Sequence, residues 1–136
     1  MKIFIICSKN FYDKIPKIKE SLEKNNHKIL LPNCFDAPET ESKYRKMGEV
    51  EHSKWKSKMF KQSDENILNC DAVLVLNFKK NNQSNYIGGA TFLEMYDAFR
   101  ANKKIFLWNS IPEGILKDEI IGFNPVQINR DLNKIK

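Results

Sequence analysis

Three short runs constrain this chain more than anything else in it: "MKIFIIC" at 1–7, "DAVLVLN" at 71–77 and "KKIFLW" at 103–108. Each is rich in β-branched and aromatic residues and has almost no polar alternation. A strand without a polar face has to be buried on both sides, as strands of a parallel sheet are. The segments between these runs carry a helical period instead. Ile15, Ile18 and Leu22 recur within 12–25, and Phe92, Leu93, Tyr96 and Phe99 are expected to be the buried residues of a helix over 88–102. A charged helix is expected over 48–69, with Val50, Trp55, Met59, Phe60, Ile67 and Leu68 as its apolar stripe. "HKILLP" predicts a second short strand, and the region after Trp108 predicts a turn, a short helix beyond Pro112 and a last strand near Val126. Residues 33–46 are polar, contain Pro38 and show no sustained period, which predicts a long loop acting as a lid or binding segment. Strands alternating with helices imply parallel pairing with right-handed crossovers. The expected fold is α/β, a doubly wound three-layer sandwich on a mainly parallel sheet of about five strands.

With 136 residues the chain is expected to form one domain, 1–136, with one sizeable core. A composition 41% apolar and 29% charged excludes a disordered or fibrous chain. The longest apolar runs, Ile3 to Cys7 and Ala72 to Leu76, are far shorter than the ~20 residues of a membrane span, and the first lacks a signal-peptide layout. No membrane partner and a cytoplasmic location are therefore expected. Cys7, Cys34 and Cys70 are an odd number with no C-x-x-C pair, which argues against a disulfide framework and a zinc site, and the two beside expected strands are expected to pack as small apolar residues. His27 and His52 have no ligand-spaced partner, so neither metal nor cofactor is expected. The net charge of +6 is spread along the chain, and the cluster Lys54, Lys56, Lys58 and Lys61 reads as a solvated helix face. Nucleic acid is not an expected partner, whereas small anionic ligands are.

Sheets of this kind bind ligands beyond the carboxyl ends of their strands. That rule selects Ser8 to Phe11, the stretch opened by Asn77 and closed by Gly89, and Asn109 to Glu113. Gly88 and Gly89 at the mouth of a helix either let an anion approach free N–H groups or simply ease the chain into the helix. There is no G-x-G-x-x-G and no Walker lysine, so neither a dinucleotide fingerprint nor a P-loop is present. Glu94 lies in the opening turns of that helix, where the macrodipole favours a carboxylate whether or not it does chemistry. The same field keeps a carboxylate ionised in a cleft, as a carboxylate nucleophile requires. A second carboxylate would serve proton transfer at a glycosidic bond, and Asp36, Asp64, Asp71 and Asp97 are the candidates. Asp71 precedes its strand and so belongs to the wrong edge of the sheet.

"CSKNFY", "SDENILNCDAVLVLN" and above all "YIGGATFLEMYDAFRANKKIFLW" resemble the nucleoside 2-deoxyribosyltransferase family and its relatives, the 2′-deoxynucleoside 5′-monophosphate N-glycosidases. The resemblance spans 3–122 and is most specific from Asp64 to Leu107. It implies a flavodoxin-like sandwich and a small-molecule nucleoside or nucleotide as ligand. It also implies Glu94 as the nucleophile that attacks C1′ of deoxyribose, and Asp64 as its acidic partner. Ser8, Lys9, Asn10 and Tyr12 correspond to the loop that holds sugar and base. Asn77, Gly88 and Gly89 belong to the same substrate edge. Members of the family usually carry Asp or Ser where this chain has Gly88. They also carry Ser or Asn, contributed by a neighbouring subunit, near the position of Lys117; here a lysine could hold a phosphate. A homodimer is implied, with the helix bearing Trp55, Met59 and Phe60 as one candidate contact face. The expected activity is cleavage or exchange of the N-glycosidic bond of a deoxynucleoside or its 5′-monophosphate. The alternative is a nucleotide-binding or sensing module on the same scaffold.

Overall fold

The computed structural model describes all 136 residues. Strands β1 (Lys2–Ile6), β2 (Lys28–Leu30), β3 (Ala72–Val75), β4 (Lys104–Leu107) and β5 (Val126–Gln127) form one all-parallel sheet in the order β2-β1-β3-β4-β5. This is the flavodoxin-like order, whose topological switch point lies between β1 and β3. The helices are α1 (Ile15–Lys24), α2 (Thr40–Met47), α3 (Glu49–Leu68), α4 (Gly89–Arg100) and α5 (Lys117–Gly122), with 3₁₀ turns at Lys9–Lys14 and Leu132–Lys134.

The continuous apolar runs are buried on both faces, as their composition requires. Ile3, Ile5, Leu74 and Phe106 pack under Ile15, Ile18 and Leu22 of α1 and under Ile128 and Ile135 of the last segment. Phe4, Ile6, Val73, Val75 and Leu107 face the other way, toward Ile67 of α3, Met95 and Ala98 of α4 and Ile120 of α5. The alternate residues of each strand thus supply two separate cores, and the domain has three layers. No helix is long and apolar enough to cross a membrane.

Three expectations are corrected. The stretch 33–46 is not a loop throughout, because α2 occupies Thr40–Met47. No residue of α2 is buried, so hydrophobic periodicity had nothing to register. Polar groups hold it instead: the Thr40 hydroxyl donates to the Ala37 carbonyl, and Glu41 accepts from His52 and Lys56 of α3 at 2.9 and 3.1 Å. Gly48 joins α2 to α3 at φ 117°, a conformation that a side chain would strain. Second, α4 buries Thr91, Met95 and Ala98, not the large residues of its stripe. Leu93, Tyr96 and Phe99 are each nearly half exposed. The small side chains bring α4 close to the sheet, and Phe92, Tyr96 and Phe99 gather sideways around Phe123, with ring centroids 5.5–6.1 Å apart. Third, of the α3 stripe only Ile67 is fully buried; Val50, Phe60 and Leu68 are exposed.

Candidate functional site

A cavity of about 370 Å³ opens at the carboxyl edge of the sheet, between the start of α4 and the α2–α3 hairpin. Glu94 is at its floor. Gly88 and Gly89 start α4, and Glu94 on its second turn leans back toward them, because helical side chains tilt toward the amino end. The side chain is half-buried, and the part that is not enclosed by protein faces the cavity. Burial raises its carboxyl from the ordinary 4.5 to about 7, with a further push from the charge of Asp97 one turn along α4. Ser63 and Lys56 oppose that rise. Glu94 therefore changes charge near neutrality, in the range useful for a group that must both attack and leave.

Ser63 comes from α3 and is buried. Its Oγ accepts from Asn33 Nδ2 at 2.8 Å, and the same amide nitrogen donates to the Met59 carbonyl at 3.1 Å. The Ser63 hydroxyl keeps its own proton to donate, and its hydrogen bonding to the Glu94 carboxylate offsets part of the rise that burial gives that group. Asn33 also accepts, at its carbonyl, from the Tyr12 hydroxyl at 3.0 Å. One asparagine just past β2 thus orients two groups of the cavity wall. Cys7 closes the floor; burial first, and then the Glu94 charge, push its thiol far above the usual range. Burial does the same to Tyr12. Neither is a nucleophile at neutral pH.

The two ends of the cavity differ in chemistry. Near Ser8 and the start of α4 stand Lys9 and Lys80, the latter 4.6 Å over the Tyr86 ring. On the α3 side, Trp55, Met59, Phe60 and Pro32 form an apolar wall. At its rim a single Glu41 oxygen accepts from His52 Nε2 at 2.9 Å and Lys56 Nζ at 3.1 Å, with Arg45 at 3.5 Å. Burial by itself would raise Glu41, but these partners outweigh it and hold the carboxyl below its ordinary value. Trp55 stacks with both Tyr44 and His52, at interplanar angles of 17° and 15°, which restrains its indole.

The structure brings Ser8, Lys9, Tyr12, Gly88, Gly89 and Glu94 together around this cavity. It does not bring Asn10, Asp64, Asn77 or Lys117 there. Asn10 is exposed. Asp64 lies one residue, about 100°, round α3 from Ser63 and is exposed; its charge adds to burial in raising the Asp97 carboxyl. Asn77 is fully buried and occupied: its amide donates to the Ser110 carbonyl at 2.9 Å and accepts from the Asn109 N–H at 2.8 Å, clamping the ends of β3 and β4. Lys117 pairs with Glu113 at 2.9 Å at the start of α5. Asp71 accepts from the Lys2 N–H at 2.7 Å, at the amino edge, where its position before β3 put it. Lys54, Lys58 and Lys61 are solvated, whereas Lys56 turns into the cavity.

Sequence reasoning missed Asn33, Glu41, Lys56 and Ser63. The signal for Ser63 was its i, i+4 spacing to Ile67, which shares its buried face. Gly88 also gains a reason: a Cβ there would lie 3.2 Å from the Tyr86 hydroxyl, so the tyrosine fills the space a side chain at 88 would take. Comparison with known proteins adds no relative: no family model and no curated protein matches the chain.

Proposed function

We propose that this protein cleaves or exchanges the N-glycosidic bond of a deoxynucleoside or its 5′-monophosphate, with Glu94 as nucleophile. The observation that carries the reading is one carboxyl, pushed up by burial to about 7, at the floor of a cavity with Lys9 and Lys80 toward the start of α4 and the side chains of Trp55, Met59 and Phe60 on the α3 side, rimmed by the Glu41 ion pairs. Such a cavity suits a sugar at the carboxylate, a base against Trp55 and Met59, and a 5′ substituent toward Lys9, Lys80 and the amino end of α4. Attack of a Glu94 oxygen on C1′ forms a glycosyl ester as the C1′–N bond breaks and its electron pair leaves with the base. Water or a second base then takes the sugar and restores the carboxylate. Ser63 orients and charges the nucleophile in the place where an acidic partner was expected. The Tyr86 hydroxyl offers the sugar a contact in place of the side chain that Gly88 lacks.

The test is release of free base from each deoxynucleoside and each 5′-monophosphate, followed by chromatography; no base from any of them refutes the reading. A binding or sensing role is the second reading, favoured by the position of Asp64 outside the cavity. Glu94→Ala separates the two: an enzyme loses turnover and keeps ligand affinity, whereas a sensor loses affinity. The exposed surface of Leu93, Tyr96 and Phe99 beside Phe123 suits a second copy of the chain better than the Trp55 face, which lines the cavity. Light scattering of the wild type and of Phe99→Asp tests that pairing.

A further inference from the structure

A serine inside a helix commonly returns its proton to the carbonyl four residues earlier. Ser21 of α1 does so, donating to the Lys17 carbonyl at 3.1 Å. Ser63 of α3 does not, although the Met59 carbonyl stands at the same spacing. The Asn33 amide is in the way: its Nδ2 donates to that carbonyl at 3.1 Å and to the Ser63 Oγ at 2.8 Å. Within the helix the Met59 carbonyl also takes the N–H four residues on, so the amide fills the lone pair that the hydroxyl would use. Resting on the reading of Glu94 as nucleophile, we infer that Asn33 is a positioning residue: it blocks the back-bond of Ser63 and so turns the Ser63 proton toward Glu94.

The Asn33 amide holds one orientation. Its Oδ1 accepts from Asn66 Nδ2 at 3.4 Å, and a flipped amide would set that oxygen against the Met59 carbonyl, acceptor facing acceptor. Ser63 is buried, which leaves its proton little water to turn to. Glu94 lines the same cavity, and its carboxylate accepts from Ser63. A side chain just past β2 thus reaches the nucleophile through α3. Without the amide the Met59 carbonyl is free, the hydroxyl falls back on it as Ser21 does on Lys17, and Glu94 stays buried with one donor fewer. The other ionisable groups that face Glu94 are Cys7 of β1, Tyr12 of the turn after it, Lys56 of α3 and Asp97 of α4. Glu41 and Arg45 of α2, with Lys9 and Lys80, line the cavity farther out. Substitutions at 33 leave all of them in place.

The experiment follows the Glu94 carboxyl by carbon-13 NMR through a pH titration, with Glu94→Gln to assign its signal, and measures kcat/KM for base release over the same range. Asn33→Leu removes the donor at similar volume and keeps the backbone carbonyl that holds the Tyr12 hydroxyl. A hydrogen bond to a charged group is strong enough for the Glu94 midpoint to rise by about 1 pH unit in this variant. The ionised fraction at pH 7, and kcat/KM with it, is then expected to fall about fivefold while the alkaline plateau is kept. Asn33→Asp, the same shape with an acceptor in place of the donor, is expected to raise the midpoint as well, and serves where leucine prevents folding. On a Ser63→Ala background Asn33→Leu is expected to add almost nothing, because the hydroxyl it acts through is gone. A midpoint unmoved in both single variants, or a full further rise on the Ser63→Ala background, overturns this inference and leaves the nucleophile reading intact. No base released by the wild type from any deoxynucleoside or 5′-monophosphate overturns the nucleophile reading, and the midpoints still decide whether Asn33 acts through Ser63.

Discussion

Replacing Glu94 by Gln removes a charge from a place that resists it, and the size of the effect follows from the site. Burial raises the carboxyl from 4.5 to about 7. A difference of about 2.5 units corresponds to about 3 kcal/mol between folded and unfolded states at 1.36 kcal/mol per unit. The folded protein holds this proton more tightly than the unfolded chain does. Stability from this group is therefore complete below 4.5, falls between 4.5 and about 7, and is flat above that. Glutamine has the same shape and does not titrate, so Glu94→Gln escapes the loss. Urea unfolding followed by the fluorescence of Trp55 and Trp108 gives the comparison at two pH values. The variant is expected to exceed the wild type by under about 1 kcal/mol at pH 5 and by about 3 kcal/mol at pH 8. The same preparation is expected to release no base. A stability difference that does not change with pH, or a wild type more stable than the variant at pH 8, refutes the claim that the fold desolvates this carboxylate.

Ser63→Ala removes the hydroxyl that favours the Glu94 anion, so the acidic limb of kcat/KM is expected to move to higher pH, with about 1 kcal/mol of stability lost because the Asn33 amide loses an acceptor; an unmoved limb denies Ser63 its positioning role. Gly48→Ala places a side chain at φ 117° between α2 and α3 and is expected to cost about 1–3 kcal/mol in thermal unfolding. Asn77→Ala leaves the Asn109 N–H and the Ser110 carbonyl without their partner at the ends of β3 and β4, and a loss of about 2 kcal/mol or more is expected by chemical denaturation.

The parallel sheet was legible because Ile3 to Ile6 and Ala72 to Val75 are apolar at every position, and burial on two sides is the one arrangement that hides them all. Glu94 was legible too, since a polar connection after β3 followed by a helix start has to lie at the carboxyl edge. The phase of α3 was not. Its apolar positions are scattered among lysines and glutamates, and a mixed stripe does not say which side faces inward. Asp64 and Ser63 differ by one residue and by about a third of a turn, and packing of Ile67 against the sheet turned Ser63 inward. The helix α2 escaped notice for a related reason: charges around Glu41 hold it, and they leave no hydrophobic period.

What the chain's order of residues determined by itself is the layered α/β fold and one carboxylate at the carboxyl edge of its sheet, because strand and helix periods are local properties of neighbouring residues. What only the folded molecule decided is the company that carboxylate keeps. Asn33, Ser63 and Glu94 lie far apart along the chain, and their meeting depends on the rotation of each helix about its own axis. That rotation is set by the packing of every layer at once.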